Sequence, residues 1–174
     1  FPVIDWGKII LDFGKFLLFT IFFFLLPGWI IGKRLIFSIP IGWAIFTLAT
    51  YILGYLKFDL LIWALPLIGL PIILKLNKFK FPDFKFPISR IIFLTIFVLG
   101  SLSWLITVVK SGLQFNYGLG FWGPNGHDGI WHLSLISSLQ RSFPPENPVF
   151  AGTLLTNYHY FFDLLLARTG SLTG

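Results

Sequence analysis

The chain has 174 residues, 56% of them hydrophobic and only 11% charged, with a mean hydropathy of +0.83. A soluble domain of this size needs more charge on its surface, and the long unbroken apolar runs point to membrane spans rather than one large core. The formal net charge is +6, but the basic residues sit in short segments between the runs, as membrane flanks do, so a nucleic-acid surface is excluded. With no Cys there are no disulfides and no thiolate metal sites. There is no Met either, even at position 1, so the chain is expected to be a piece of a longer protein that lacks an upstream segment; Gly170–Gly174 reads as a turn leading to further spans, which makes the piece an N-terminal part.

The expected fold is all-α, a polytopic bundle of transmembrane helices with an outer-face loop that contains an amphipathic surface helix. Residues 1–15 mix Asp5, Lys8, Asp12 and Lys15 with apolar residues and read as an interfacial segment. Spans are expected over Phe16–Ile31, Leu35–Leu56, Leu60–Leu74 and Ile91–Val109, with the start of a further span over 153–167. Pro40 and Gly42 are tolerated inside a membrane helix. The third segment is short and holds Pro66 and Pro71. If all four segments span, Lys33-Arg34 and the loop with Lys75, Lys78, Lys80, Lys85 and Arg90 share one side. That side is then cytoplasmic, and everything after about residue 110 is extracytoplasmic. In the loop 78–86 Lys and Phe alternate, which fits an orientation-setting loop or one resting on anionic headgroups.

Gly118-Leu-Gly-Phe-Trp-Gly123 matches G-x-G-x-x-G, but no strand–helix context surrounds it. It is expected to be an outer loop with Phe121 and Trp122 at the interface.

Polar chemistry is concentrated between Gly123 and Asp163. All three histidines lie there, with Asn125, Asp128, Glu146, Asn157 and Asp163. Ionisable groups beside apolar spans are costly and mark the place to look for function. Asn125 can cap a helix running from Asp128 to about Ser142, which Phe143-Pro-Pro145 stops. Ile130, Trp131, Leu135, Ile136 and Leu139 make its apolar side, so it is expected to lie on the outer membrane surface. Asp128 and His132, four apart, share a face. Asp128 is either part of the helix cap or an ionised general base. Glu146 projects from the rigid turn 143–148. If the segment from Val149 to Ala167 is helical, His159 and Asp163 also share a face, as a packed pair or as substrate contacts. His127, His132, Glu146 and His159 offer metal ligands, but without H-E-x-x-H or equivalent spacing a divalent metal is not favoured, and no cofactor is expected.

Asp128 in an outer loop, a helix ending in Phe143-Pro-Pro145, then Pro148, Ala151-Gly152 and Asn157-Tyr-x-Tyr160 resemble the uncharacterised YYY membrane proteins of bacteria and archaea. Those proteins are similar to the GT-C superfamily of polytopic glycosyltransferases. Leu26-Pro-Gly-Trp29, followed by Lys33-Arg34 and a long span, is similar to other GT-C-like bacterial membrane proteins. The chain has Asn147 where the family pattern has Asp, Val149 where it has Trp, and His159 in place of the middle Tyr.

The resemblance implies a membrane enzyme of the cell envelope that moves a sugar from a polyprenyl-phosphate donor to an acceptor hydroxyl. Asp128 maps onto its catalytic acidic residue. Phosphate leaves readily, so one carboxylate to take the acceptor proton suffices. His127, His132, Glu146, Asn157, Tyr158, His159, Tyr160 and Asp163 are the expected substrate-binding residues. The expected partners are a lipid-linked sugar and membrane lipids, and the oligomeric state stays open. The alternative is a non-enzymatic transporter or envelope-assembly protein with a polar ligand site, which should place its charges near the bilayer midplane.

Overall fold

The computed structural model describes residues 5–32, 34–76, 88–109 and 111–173. Most of them are helical. The chain divides into two units, one of residues 5–77 with 132–174 and one dominated by residues 78–131.

The larger unit begins with one helical run, Trp6–Gly32, made of α1 (Trp6–Phe19), a wider π turn (Thr20–Leu25) and α2 (Leu26–Gly32). Asp5 starts it, its carboxylate accepting the Lys8 amide at 3.0 Å. Residues 6–15 therefore belong to the same continuous helical run as the first expected span. The physical reason is that no Pro or Gly pair interrupts the chain between Asp5 and Leu26, so the backbone bonds run on. α3 (Leu35–Tyr55) returns after the basic turn. Its 21 residues are about 31 Å long at 1.5 Å per residue, close to a bilayer's hydrocarbon thickness.

α2 and α3 approach until backbone meets backbone. A Cβ on Gly28 would fall on the Ser38 carbonyl, and one on Gly42 would fall on the Phe24 carbonyl. Gly28-x-x-x-Gly32 faces Ser38-x-x-x-Gly42, small residues at the spacing that lets apolar helices pack closely without a hydrophobic driving force. Ser38, Thr47 and Thr50 are buried, and each returns its hydroxyl to a carbonyl of its own helix at 2.8–2.9 Å. These three hydroxyls then need no water. Phe19, Phe23, Phe24, Phe46 and Ile62 form the core behind it, with Phe46 edge-on to Phe19 at 5.4 Å.

The third expected span is a 3₁₀ turn (Asp59–Ala64) followed by α4 (Leu65–Leu76), which packs on α2 where Gly69 meets Leu26. Among the described residues, two helical runs are long and apolar enough to cross a membrane, Trp6–Gly32 and Ile36–Tyr55; Asp59–Pro71 and Ile91–Ile106 are apolar but shorter. α7 (Phe161–Thr173) completes the unit and packs on α3 and α1. Its start corrects the expected span over 153–167, because the chain before Phe161 is irregular. Glu146 and Leu154 bridge there, and Leu155 N–H bonds Pro145 O at 2.9 Å, so those backbone groups are satisfied across a loop instead of along a helix.

In the other unit, α5 (Ile88–Val108) exposes Phe93, Ile96, Trp104 and Ile106 around its circumference. A hairpin of β1 (Leu113–Phe115) and β2 (Gly118–Gly120) follows, with Gln114 opposite Leu119. The glycine-rich match is thus a hairpin strand running into a 3₁₀ turn (Gly123–Gly126), not an open loop. Gly118, at φ 131°, supplies the turn geometry. α6 (Asp128–Arg141) begins here and continues into the larger unit; it matches the helix expected from Asp128 to about Ser142. The Lys–Phe alternation at 78–86 and the side chain of Asn125 lie outside what is described.

Candidate functional site

His132 and Asp163 come together from α6 and α7, at 2.7 Å from Nδ1 to Oδ1. Asp163 is 1% exposed, while the His132 side chain is 45% exposed. A carboxylate that accepts requires the proton on Nδ1, which leaves Nε2 of a neutral imidazole as an acceptor. Leu135 and Leu139 of α6 and Leu164 and Ala167 of α7 bury the surroundings together with Phe143 and Tyr160. Two expectations change. Leu135 and Leu139 are buried in protein, not laid on lipid. Asp163, expected to bind substrate and to share a face with His159, is enclosed and pairs with His132; His159 precedes α7, so no helix aligns the two.

The end of α3 is where the polar window is fastened. Its last turn closes with Lys57 at φ 62°, Lys57 N–H bonding Gly54 O at 3.2 Å and Phe58 N–H bonding Leu53 O at 2.9 Å. Lys57 Nζ then donates to Phe143 O at 2.6 Å. The Phe143 ring packs edge-on to Tyr55 at 5.0 Å and to Tyr51 at 5.7 Å. Ser138 Oγ donates to Glu146 O at 2.9 Å, and Asn147 Oδ1 accepts the Val149 amide at 2.9 Å, so the 143–155 loop is held at several points. The Glu146 side chain is exposed.

Against this end lies a groove of about 560 Å³, lined by Tyr51 and Tyr55 of α3 and by residues 155–161. Asn157, at φ 58°, turns the chain so that Tyr158 and His159 stack nearly parallel, 5.1 Å apart and 14° inclined. Asn157 and His159 are exposed. Tyr160 is 8% exposed, its ring packed on Tyr51 and Phe143. Of its expected substrate contact this leaves no ring face for a substrate to stack on. Burial, with the hydrogen bond to Tyr55, pushes its phenol well above the ordinary tyrosine value, so Tyr160 stays neutral. Tyr51 and Tyr55 were not singled out in the sequence. Their signal was an i, i+4 tyrosine pair just inside the end of a long apolar run, where amphipathic rings gather.

Asp128 and His127 belong to the other unit. Asp128 stands in the first turn of α6, with its side chain 78% exposed, and its Oδ1 lies 3.3 Å from His127 Nδ1. His127 is 98% exposed. The helix dipole favours the ionised carboxylate there. Before it, Ser111 Oγ donates to Trp122 O at 3.1 Å and accepts the Trp122 amide at 3.2 Å, tying the hairpin's two ends.

Among the described residues, no three His, Asp or Glu side chains form a group that could hold a metal ion. Compared with known proteins, the chain matches no family model, no curated sequence and no solved structure.

Proposed function

We propose that the protein is a multi-pass membrane glycosyltransferase of GT-C type. It moves a sugar from a polyprenyl-phosphate donor to an acceptor hydroxyl on the outer face, with Asp128 as general base. The observation that carries the proposal is where the polar window is fastened. Residues 143–160 meet α3 at its C-terminal end, through Lys57, Tyr51 and Tyr55, and not along its length. An enzyme working on a lipid-linked substrate needs its polar groups at one end of its apolar helices. The distribution of basic residues along the sequence supports reading that end as the outer side. The exposed Asp128 carboxylate is free to reach an acceptor proton.

The test is sugar transfer by the protein in liposomes supplied with a polyprenyl-phosphate sugar. Asp128→Asn keeps the size and the helix start but cannot take a proton at neutral pH. Transfer falls by about two to four orders of magnitude. Near wild-type transfer by this variant removes Asp128 from the role of base.

One observation favours a second reading, a transporter. Asp163 is a buried carboxylate on an otherwise mostly apolar helix, and such groups mark solute pathways. Solute uptake into the same liposomes without sugar transfer would replace the enzyme with that reading.

A further inference from the structure

We propose that the groove at the end of α3 binds an uncharged glycan and is the acceptor site of the transferase. Its polar groups are the phenols of Tyr51, Tyr55, Tyr158 and Tyr160, the Asn157 amide and the His159 imidazole, with Thr156 beside them. No Asp, Glu, Lys or Arg lines it. A phosphate or carboxylate entering such a groove loses hydration without gaining an opposite charge. A sugar hydroxyl both donates and accepts, and phenol, amide and imidazole answer it in both senses.

The volume, about 560 Å³, lies within the range of small-molecule sites, and the lining mixes these polar groups with ring faces. The Tyr158–His159 stack presents a flat π surface, and the C–H face of a pyranose, with its slightly positive hydrogens, suits the negative face of an aromatic ring. Asn157 supplies an independent observation. Asn enters the left-handed region more readily than other non-glycine residues, and this turn leaves its amide exposed in the groove lining. The charged part of the donor therefore docks elsewhere. Only the acceptor role rests on the transferase reading; glycan binding itself does not.

Binding is measured on the whole protein in detergent micelles, with no donor present. Ligand-observed saturation-transfer NMR uses cellobiose, maltose and chitobiose as neutral probes and geranyl phosphate as the charged one. At least one disaccharide binds in the millimolar range. Tyr55→Phe removes one hydroxyl but keeps the ring on Phe143, and weakens binding about threefold to tenfold. His159→Ala, at an exposed position outside the core, weakens it about tenfold or more. Thermal melting of His159→Ala stays at the wild-type value, and that of Tyr55→Phe falls only by the loss of its hydrogen bond to Tyr160. The proposal is overturned if none of the three disaccharides binds, if neither variant weakens binding, or if geranyl phosphate displaces the sugar. Sugar binding without transfer under any donor condition supports the glycan site and sinks the transferase. Transfer to a disaccharide that both variants leave unchanged sinks the acceptor site and spares the transferase.

Discussion

Asp163 and His132 depend on each other unequally. The carboxylate is enclosed and the imidazole is half exposed, so removing the imidazole strands a buried charge, while neutralising the carboxylate does not. His132→Ala should lose about 2–4 kcal/mol of stability, because the desolvation of Asp163 is no longer offset. Asp163→Asn keeps an oxygen to accept the Nδ1 proton and should lose only about 1 kcal/mol. Thermal unfolding of the two variants in the same detergent checks the order. A larger loss for Asp163→Asn would mean the pair is not held as described. The same contrast explains why the sequence misled at Asp163. A carboxylate four residues after a histidine invites an i, i+4 pairing, but that rule needs both residues on one helix, and the chain at His159 is irregular.

At the scale of elements, the Gly28–Gly32 and Ser38–Gly42 pairs decide how closely α2 and α3 lie. Gly28→Val puts a branched side chain where the Ser38 backbone already stands. The helices must separate, and the variant should lose about 1–3 kcal/mol or more and unfold at lower temperature. Gly14, with nothing within 4 Å of its Cβ position, is the control, and Gly14→Ala should be neutral or slightly stabilising. Equal melting of all three proteins would contradict the packing. This spacing was present in the sequence but was hidden because the expected span end at Ile31 divides Gly28 from Gly32. α3 and α6 were legible to within a few residues, since each is bounded by strong signals: the basic turn before α3, and Phe143-Pro144 after α6. The start of α7 was not. Residues 149–160 are apolar enough to pass for helix, and the backbone bonds across 145–155, with the left-handed turn at Asn157, show that they are a loop.

For the molecule as a whole, composition alone foretold a mostly helical chain with apolar runs long enough for a membrane, and two helices of that kind are present. Which residues meet across the chain was much less legible. Asp163 finds its partner 31 positions away, and Lys57 finds its partner 86 positions away. No periodicity encodes such separations. The proposed enzyme, the acceptor groove and the role of Asp128 all require the window to stand on the outer face while the turn between α2 and α3 stands inside. These 174 residues hold no Cys, so a single cysteine placed among them has no neighbour to compete for the label. Val149 and Arg34 are both exposed, one in the window and one beside that turn. In intact cells, a membrane-impermeant thiol reagent should modify Val149→Cys and leave Arg34→Cys untouched until the membrane is permeabilised. Labelling of Arg34→Cys alone would place the window inside the cell and contradict the account.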